Sequence, residues 1–265
     1  MGSRGKAGLA VKRVIPGPAG RLVVDDGGAG APVVFVHSLA GTSRHWSAQL
    51  EHLRRSRRAV AFDLRGHGRP DAPGNGDYAI TSVAADIEAV AGALDLERFA
   101  LVGHSMGGGV ALAYAGAHPE RVDRLLLLDS IGDGTQIPAA AMQPLLDGLE
   151  SAAYQETIEG YWDTITGPNV AVRERLLADL RATPSKTVVE GFKAVSRFDP
   201  KPHLARFRGP MLAVVTPSND YPFSIHHLKG GPPHRVVEGT GHWIQLDQPA
   251  EFNRILDQFL EGGER

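Results

Sequence analysis

Short continuous apolar runs, separated by stretches with apolar residues three and four apart, dominate the first half of the chain. Pro32–His37 (PVVFVH), Arg58–Asp63 and Phe99–Val102 each read as a strand. Between them, His45–Leu53 and residues 81–94 carry apolar positions at helical spacing, and Val110–Ala117 reads as a helix of small residues. Strand and helix in alternation predict a parallel sheet covered on both faces. Val122–Asp129 (VDRLLLLD), with four consecutive leucines, suits a further strand buried on both faces. Ahead of all of these, Val11–Asp25 alternates around the turn segment PGPAG at 16–20, which predicts an antiparallel hairpin.

The alternation breaks after Asp129. From 130 to 208 no strand is expected, and four helix-length segments, 139–151, 153–166, 170–182 and 185–197, are separated by Pro, Gly and Asn. The sheet pattern resumes with Pro210–Thr216 and His234–Glu238, and an amphipathic helix at Pro249–Leu260 closes the chain, with proline in its first turn. The expected organisation is a core formed by 1–129 and 209–265, interrupted by a helical insertion at 130–208.

Composition narrows the function classes. With 265 residues and 42% apolar content the chain buries a substantial core, and a net charge of −2 provides no general attraction for nucleic acid or anionic membrane. The absence of cysteine excludes disulfides and thiolate metal sites. No apolar run of about 18 residues and no charged-then-apolar leader occurs, so a cytoplasmic location is expected. The basic cluster Arg54-Arg55-Ser56-Arg57-Arg58 is expected to be a solvated helix end.

The segment Leu101-Val102-Gly103-His104-Ser105-Met106-Gly107-Gly108 places a serine where a strand must turn into a helix. Such a serine is held in a strained conformation, and the flanking glycines remove side chains that would clash across the turn. Other chemistry is expected in loops beyond the carboxyl ends of the parallel strands. Three of these are unusually polar: His37-Ser38-Leu39-Ala40-Gly41, Thr216-Pro217-Ser218-Asn219-Asp220 and Gly239-Thr240-Gly241-His242-Trp243. A serine becomes a good nucleophile only when an imidazole takes its proton and a carboxylate orients that imidazole. Ser105, Asp220 and His242 supply the three groups in chain order, and Asp129, which also ends a strand, is the alternative acid. His37 is expected to brace its loop, and Asp63, Arg65 and His67 to have a positioning role. The adjacent pair His226-His227 has the wrong spacing for one helical face and no nearby carboxylate cluster, so no metal site is expected there.

The chain resembles the α/β-hydrolase fold family over nearly its whole length. The matching text is VVFVHSLAGTSRHW at 33–46, AFDLRGHGRPDAP at 61–73, LVGHSMGGGVALAYAGAHPERV at 101–122, the Asp220 loop, and GTGHWIQLDQP at 239–249. The resemblance implies a mostly parallel central sheet of about eight strands with helices on both faces and a helical lid, 130–208, inserted after the sixth strand. It implies that Ser105, Asp220 and His242 form the triad, with the N–H groups of Leu39 and Met106 as the oxyanion hole. Many relatives have His-Gly where this chain has His37-Ser38. Similar wording, with a downstream tryptophan like Trp46, occurs in enol-lactonases, which the chain also resembles. Arg69-Pro70 is a second departure, without a functional reading.

These features imply hydrolysis of a small-molecule carboxylic ester or lactone through an acyl-enzyme, with no cofactor and no metal, by a monomer or homodimer that binds neither nucleic acid nor membrane. Ser38, Trp162 and Trp243 are expected to contact substrate; Tyr154, Tyr161, Phe192 and Phe198 either join them or pack the insertion's own core. Carbon–carbon bond hydrolysis, another non-ester activity on the same triad, or a ligand receptor on this scaffold are the alternatives.

Overall fold

The computed structural model describes residues 10–68 and 76–262; Arg69 and Pro70 lie outside them. Its strands are β1 (Val11–Gly17), β2 (Gly20–Gly28), β3 (Pro32–Val36), β4 (Arg58–Phe62), β5 (Phe99–His104), β6 (Val122–Leu128), β7 (Met211–Val215) and β8 (His234–Val236). They form one sheet in the order β1-β2-β4-β3-β5-β6-β7-β8. The hairpin β1–β2 is antiparallel and joins β4 antiparallel, while β4-β3-β5-β6-β7-β8 run parallel.

Successive strand residues face opposite sides of the sheet, and both sides are dry. Val33, Phe35, Ala59, Ala61, Val102, Leu126, Leu128 and Val214 pack on one side with Trp46, with α1 (Ser47–Leu53) and with the closing helix. Val34, Val36, Val60, Phe62, Leu101, Leu125, Leu127 and Val215 face the other, against α2 (Ile80–Ala93) and α3 (Met106–Ala117). Burial on both faces is why these strands read as apolar runs rather than as alternation.

Between β6 and β7 the chain forms α4 (Ala139–Leu149), α5 (Tyr154–Ile165), α6 (Val170–Ala182), α7 (Ser185–Arg197) and α8 (Lys201–Arg206). The first four match the periodic segments closely; Asn169 caps α6 by accepting from the N–H groups of Ala171 and Val172. The six-residue α8 is too short to show a period. After β8 come α9 (Ile244–Asp247) and α10 (Pro249–Leu260). No helix among the described residues is long and apolar enough to cross a membrane.

The basic cluster differs from expectation. Arg54 Nη2 donates to Asp25 Oδ1 at 2.6 Å, and Arg58, already on β4, grips Asp26 through Nε and Nη2 at 2.9 Å each. Arg55, with its side chain 72% exposed, and Ser56 conform. The cluster is in large part an anchor between β2 and β4, since two acidic residues across the sheet draw the guanidinium groups in.

Candidate active site

Ser105 sits between β5 and α3 with φ 55° and ψ −122°, a region that disfavours any side chain. Its N–H donates to the Leu128 carbonyl of β6 at 3.0 Å, which fixes the turn to the sheet. Glycine is required next to it. A Cβ on Gly107 would lie 2.2 Å from the His37 carbonyl oxygen, and one on Gly103 would lie 2.4 Å from the Gly107 carbonyl oxygen. The motif therefore serves two contacts at once, the tight turn itself and the approach of α3 to the loop after β3. Ser105 remains half-buried at the first turn of α3.

Two loops meet beside this turn. His242 Nδ1 donates to Asp129 Oδ2 at 2.6 Å, in a pair whose side chains are 19% and 2% exposed. Asp129 follows β6 with φ 39°, and its carboxylate also accepts from the Thr216 N–H at 2.8 Å, the Thr216 hydroxyl at 3.1 Å and Asn219 Nδ2 at 3.2 Å. It is thus a strand-end carboxylate that accepts a backbone N–H and, in addition, the partner of the histidine. His104 ties the serine turn to the histidine loop: its Nε2 donates to the His242 carbonyl at 2.8 Å, its Nδ1 accepts from Gln245 at 3.2 Å, and the two rings lie 4.7 Å apart.

Asp220 is not at His242, contrary to the expectation for the third member. Its side chain is 62% exposed, and its Oδ1 faces His227 Nε2 at 2.5 Å and His226 Nε2 at 3.4 Å. The loop after β7 reaches the site through its earlier residues, Thr216 and Asn219, and by Asp220 it has turned outward. The same outward turn puts one carboxylate, that of Asp220, beside His226-His227.

The loop after β3 is braced by two buried imidazoles. His37 Nε2 accepts from the Leu64 N–H at 2.9 Å, so its Nδ1 carries the proton given to the Ser38 carbonyl at 2.7 Å. His67 Nε2 accepts from the Ala40 N–H at 3.1 Å, and its Nδ1 donates to the Arg65 carbonyl at 3.0 Å. Asp63 accepts from the Ser43 N–H at 2.7 Å, and Arg65 pairs with the fully buried Asp86 at 2.6 Å, so these residues hold the loop in place. With Ala40 at φ 54°, the loop presents amides whose partners are largely spoken for. Among the described residues, the N–H groups of Leu39 and Met106 donate to no protein acceptor.

Burial drives His37 and His67 down to a pKa of about 3 each, and the proximity of the His37 ring, which disfavours a second proton nearby, adds to the effect at His67. Both rings are neutral when folded, whereas in the unfolded chain each protonates near pH 6.5. Below that pH the unfolded state binds more protons, so stability falls as pH drops from about 6.5 towards 3, by about 1.4 kcal/mol per pH unit for each ring. Denaturant unfolding at a series of pH values should give a shallower acid slope for His67→Gln than for the parent chain; identical slopes would contradict the assignment.

The insertion packs directly on these loops. The His242 N–H donates to the Ile165 carbonyl at the end of α5 at 2.8 Å, and a Cβ on Gly191 of α7 would lie 2.4 Å from Leu39 Cδ1. Asp179 of α6 accepts from Arg44 Nη2 at 2.7 Å and His45 Nε2 at 3.0 Å. Trp162 and Trp243 are both buried, with rings 5.8 Å apart, and Trp243 lies edge-on to His242 at 5.0 Å. Phe192 and Tyr161 extend this cluster at 5.3 Å from one another, while Phe198 stacks on His203 at 5.6 Å. Ser38 is buried, and its hydroxyl has no hydrogen-bond partner among the described residues.

Residues 31–161 match the sequence profile of the alpha/beta hydrolase fold. An esterase from Exiguobacterium antarcticum superposes with a TM-score of 0.84 over 95% of this chain and 100% of that one, at 24% identity. The chain has the α/β-hydrolase fold. An N-acyl homoserine lactone degrading enzyme is similar in structure at TM-score 0.79 and 25% identity, covering 93% of this chain and 100% of that one. In sequence, this chain is 28% identical to a 2-hydroxymuconate semialdehyde hydrolase from Pseudomonas sp. strain CF600, over 91% of this chain and 90% of that protein. Such relatives establish a hydrolase scaffold whose members include esterases, lactonases and carbon–carbon bond hydrolases.

Proposed function

We propose that this α/β-hydrolase cleaves a carboxylic ester or lactone through an acyl-enzyme on Ser105, with His242 as general base and Asp129 as the acid that orients it. The observation that carries this reading is the 2.6 Å contact between His242 Nδ1 and the buried Asp129, on a loop locked by His104 to the strained turn that bears Ser105. With Nδ1 committed to the carboxylate, Nε2 is the nitrogen left to take the serine proton. Ser105 Oγ attacks the acyl carbonyl carbon, and its proton passes to His242. The resulting oxyanion is stabilised by the N–H groups of Leu39 and Met106, donors that make no hydrogen bond among the described residues. His242 then protonates the leaving alkoxide, water activated by the same ring attacks the acyl-enzyme, and Ser105 recovers its proton as the acid departs.

The helices of 130–208 serve in this reading as the lid, with Trp162 and Trp243 forming an apolar wall beside His242 and Ser38 offering a buried hydroxyl next to Leu39. A second reading, carbon–carbon bond hydrolysis, is favoured by the sequence similarity to 2-hydroxymuconate semialdehyde hydrolase and to a 2-hydroxy-6-oxo-2,4-heptadienoate hydrolase from Pseudomonas putida, 29% identical over 89% of this chain. Steady-state kinetics on short p-nitrophenyl esters, acyl lactones and vinylogous 1,5-diketones separates the two. Multiple turnovers with kcat/KM highest on an ester or lactone are expected. A higher value on the diketones would move the assignment to carbon–carbon cleavage, and a single burst per chain would indicate a receptor.

A further inference from the structure

The outward-facing end of the loop after β7 is a second cluster of chemistry-bearing side chains, separate from the Ser105 site. We infer that Asp220, His226 and His227 form a binding site for a borderline-soft divalent cation, Zn²⁺ being the best fit.

The three side chains bring one carboxylate oxygen and two imidazole nitrogens within 4.8 Å of one another. Two neutral imidazoles and one carboxylate, with solvent for the remaining position, are donors that suit Zn²⁺ and its neighbours rather than Ca²⁺ or Mg²⁺, which take oxygen ligands. Donor separations around a tetrahedral zinc are about 3.3 Å, given bonds of about 2.0–2.1 Å. The pair His226 Nε2 and Asp220 Oδ1 already stands at 3.4 Å, whereas His227 Nε2 must draw back from 2.5 Å. That adjustment is open to it, because the His227 and Asp220 side chains are 42% and 62% exposed.

His226 is the fixed member. Its side chain is 1% exposed, its Nδ1 has no hydrogen-bond partner among the described residues, and the His234 ring lies 4.4 Å away. The backbone is equally fixed: Ser224 Oγ accepts from the Tyr221 N–H at 2.9 Å and donates to the Asn219 carbonyl at 2.8 Å, and Ile225 is fully buried. This closed turn continues directly into Asn219, whose amide holds Asp129. A cation at Asp220 would therefore stiffen the loop that supports the carboxylate partner of His242.

The full chain, stripped with a chelator and titrated with Zn²⁺ alone by isothermal calorimetry, is expected to bind one ion per chain. Asp220→Asn and His227→Gln, both at exposed positions, should each weaken that binding by at least about tenfold, the scale for loss of a ligand. Titration with Co²⁺ should produce the visible absorption of a four-coordinate ion in the parent chain and not in either variant. No Zn²⁺ binding by the parent chain, or equal binding by parent and both variants, would overturn the site.

Discussion

Ser105→Ala is expected to abolish ester or lactone turnover, with a loss in kcat on the order of 10⁶, as expected when the nucleophile of a serine triad is removed. Ser130, which hydrogen-bonds to the turn, directs its Oγ to the Ile131 carbonyl at 3.2 Å and the Ser105 carbonyl at 3.5 Å. Covalent labelling by a fluorophosphonate, read by mass spectrometry of the Ser105 peptide, should vanish with the activity. Labelling that persists in the variant would refute the assignment. A second substitution separates chemistry from stability. Alanine keeps the Cβ and thus the strain of φ 55°, whereas Ser105→Gly relieves it. The glycine variant should be as inactive as the alanine variant but more stable by about 1 kcal/mol, in the range for one residue freed from a disfavoured backbone region. Equal unfolding midpoints for the two would show that the turn stores no such strain.

Much of this turn was legible in the order of residues, because its constraints are local. An apolar run, a glycine on either side of a serine and a small-residue helix are all contiguous, and the clash distances at Gly103 and Gly107 explain why the spelling is so narrow. The strands and the four long helices of the insertion were legible for a similar reason, since burial on both faces and helical periodicity leave their pattern within single elements. The carboxylate was not. Asp129 and Asp220 both follow strands whose carboxyl ends point at the site, and the choice between them depends on groups distant in the chain: Thr216 and Asn219 turning Asp129 inward, and His226 and His227 holding Asp220 out. The bonds that join His104 to Gln245 and to the His242 loop carried no signal for the same reason, since they exist only once β5 and that loop are side by side. Arg54 and Arg58 read as a surface charge run because their partners, Asp25 and Asp26, lie across the sheet.

Asp129→Asn is expected to lower kcat by about 10⁴, the effect of the equivalent change where a triad acid has been tested, with KM little altered. Hydrogen positions decide the effect. An asparagine at 129 can still accept through its oxygen from the Thr216 N–H and from Asn219, contacts that hold Oδ1 at 2.8 and 3.2 Å, so the loop keeps its geometry. Its amide NH₂ then occupies the place of Oδ2, 2.6 Å from His242 Nδ1, and must donate where the carboxylate accepted. The ring is forced into the tautomer with its proton on Nε2, which cannot receive a proton from Ser105, and the imidazolium formed during attack loses its counter-charge. Asp220→Asn should cost less than about tenfold when assayed in chelator, because Asp220 contacts neither His242 nor the Ser105 turn and acts on the site only through the loop behind Asn219. Circular dichroism and the unfolding midpoint check that both variants are folded. A larger loss in Asp220→Asn than in Asp129→Asn would return the acid to the loop after β7 and would require that loop to rearrange when substrate binds.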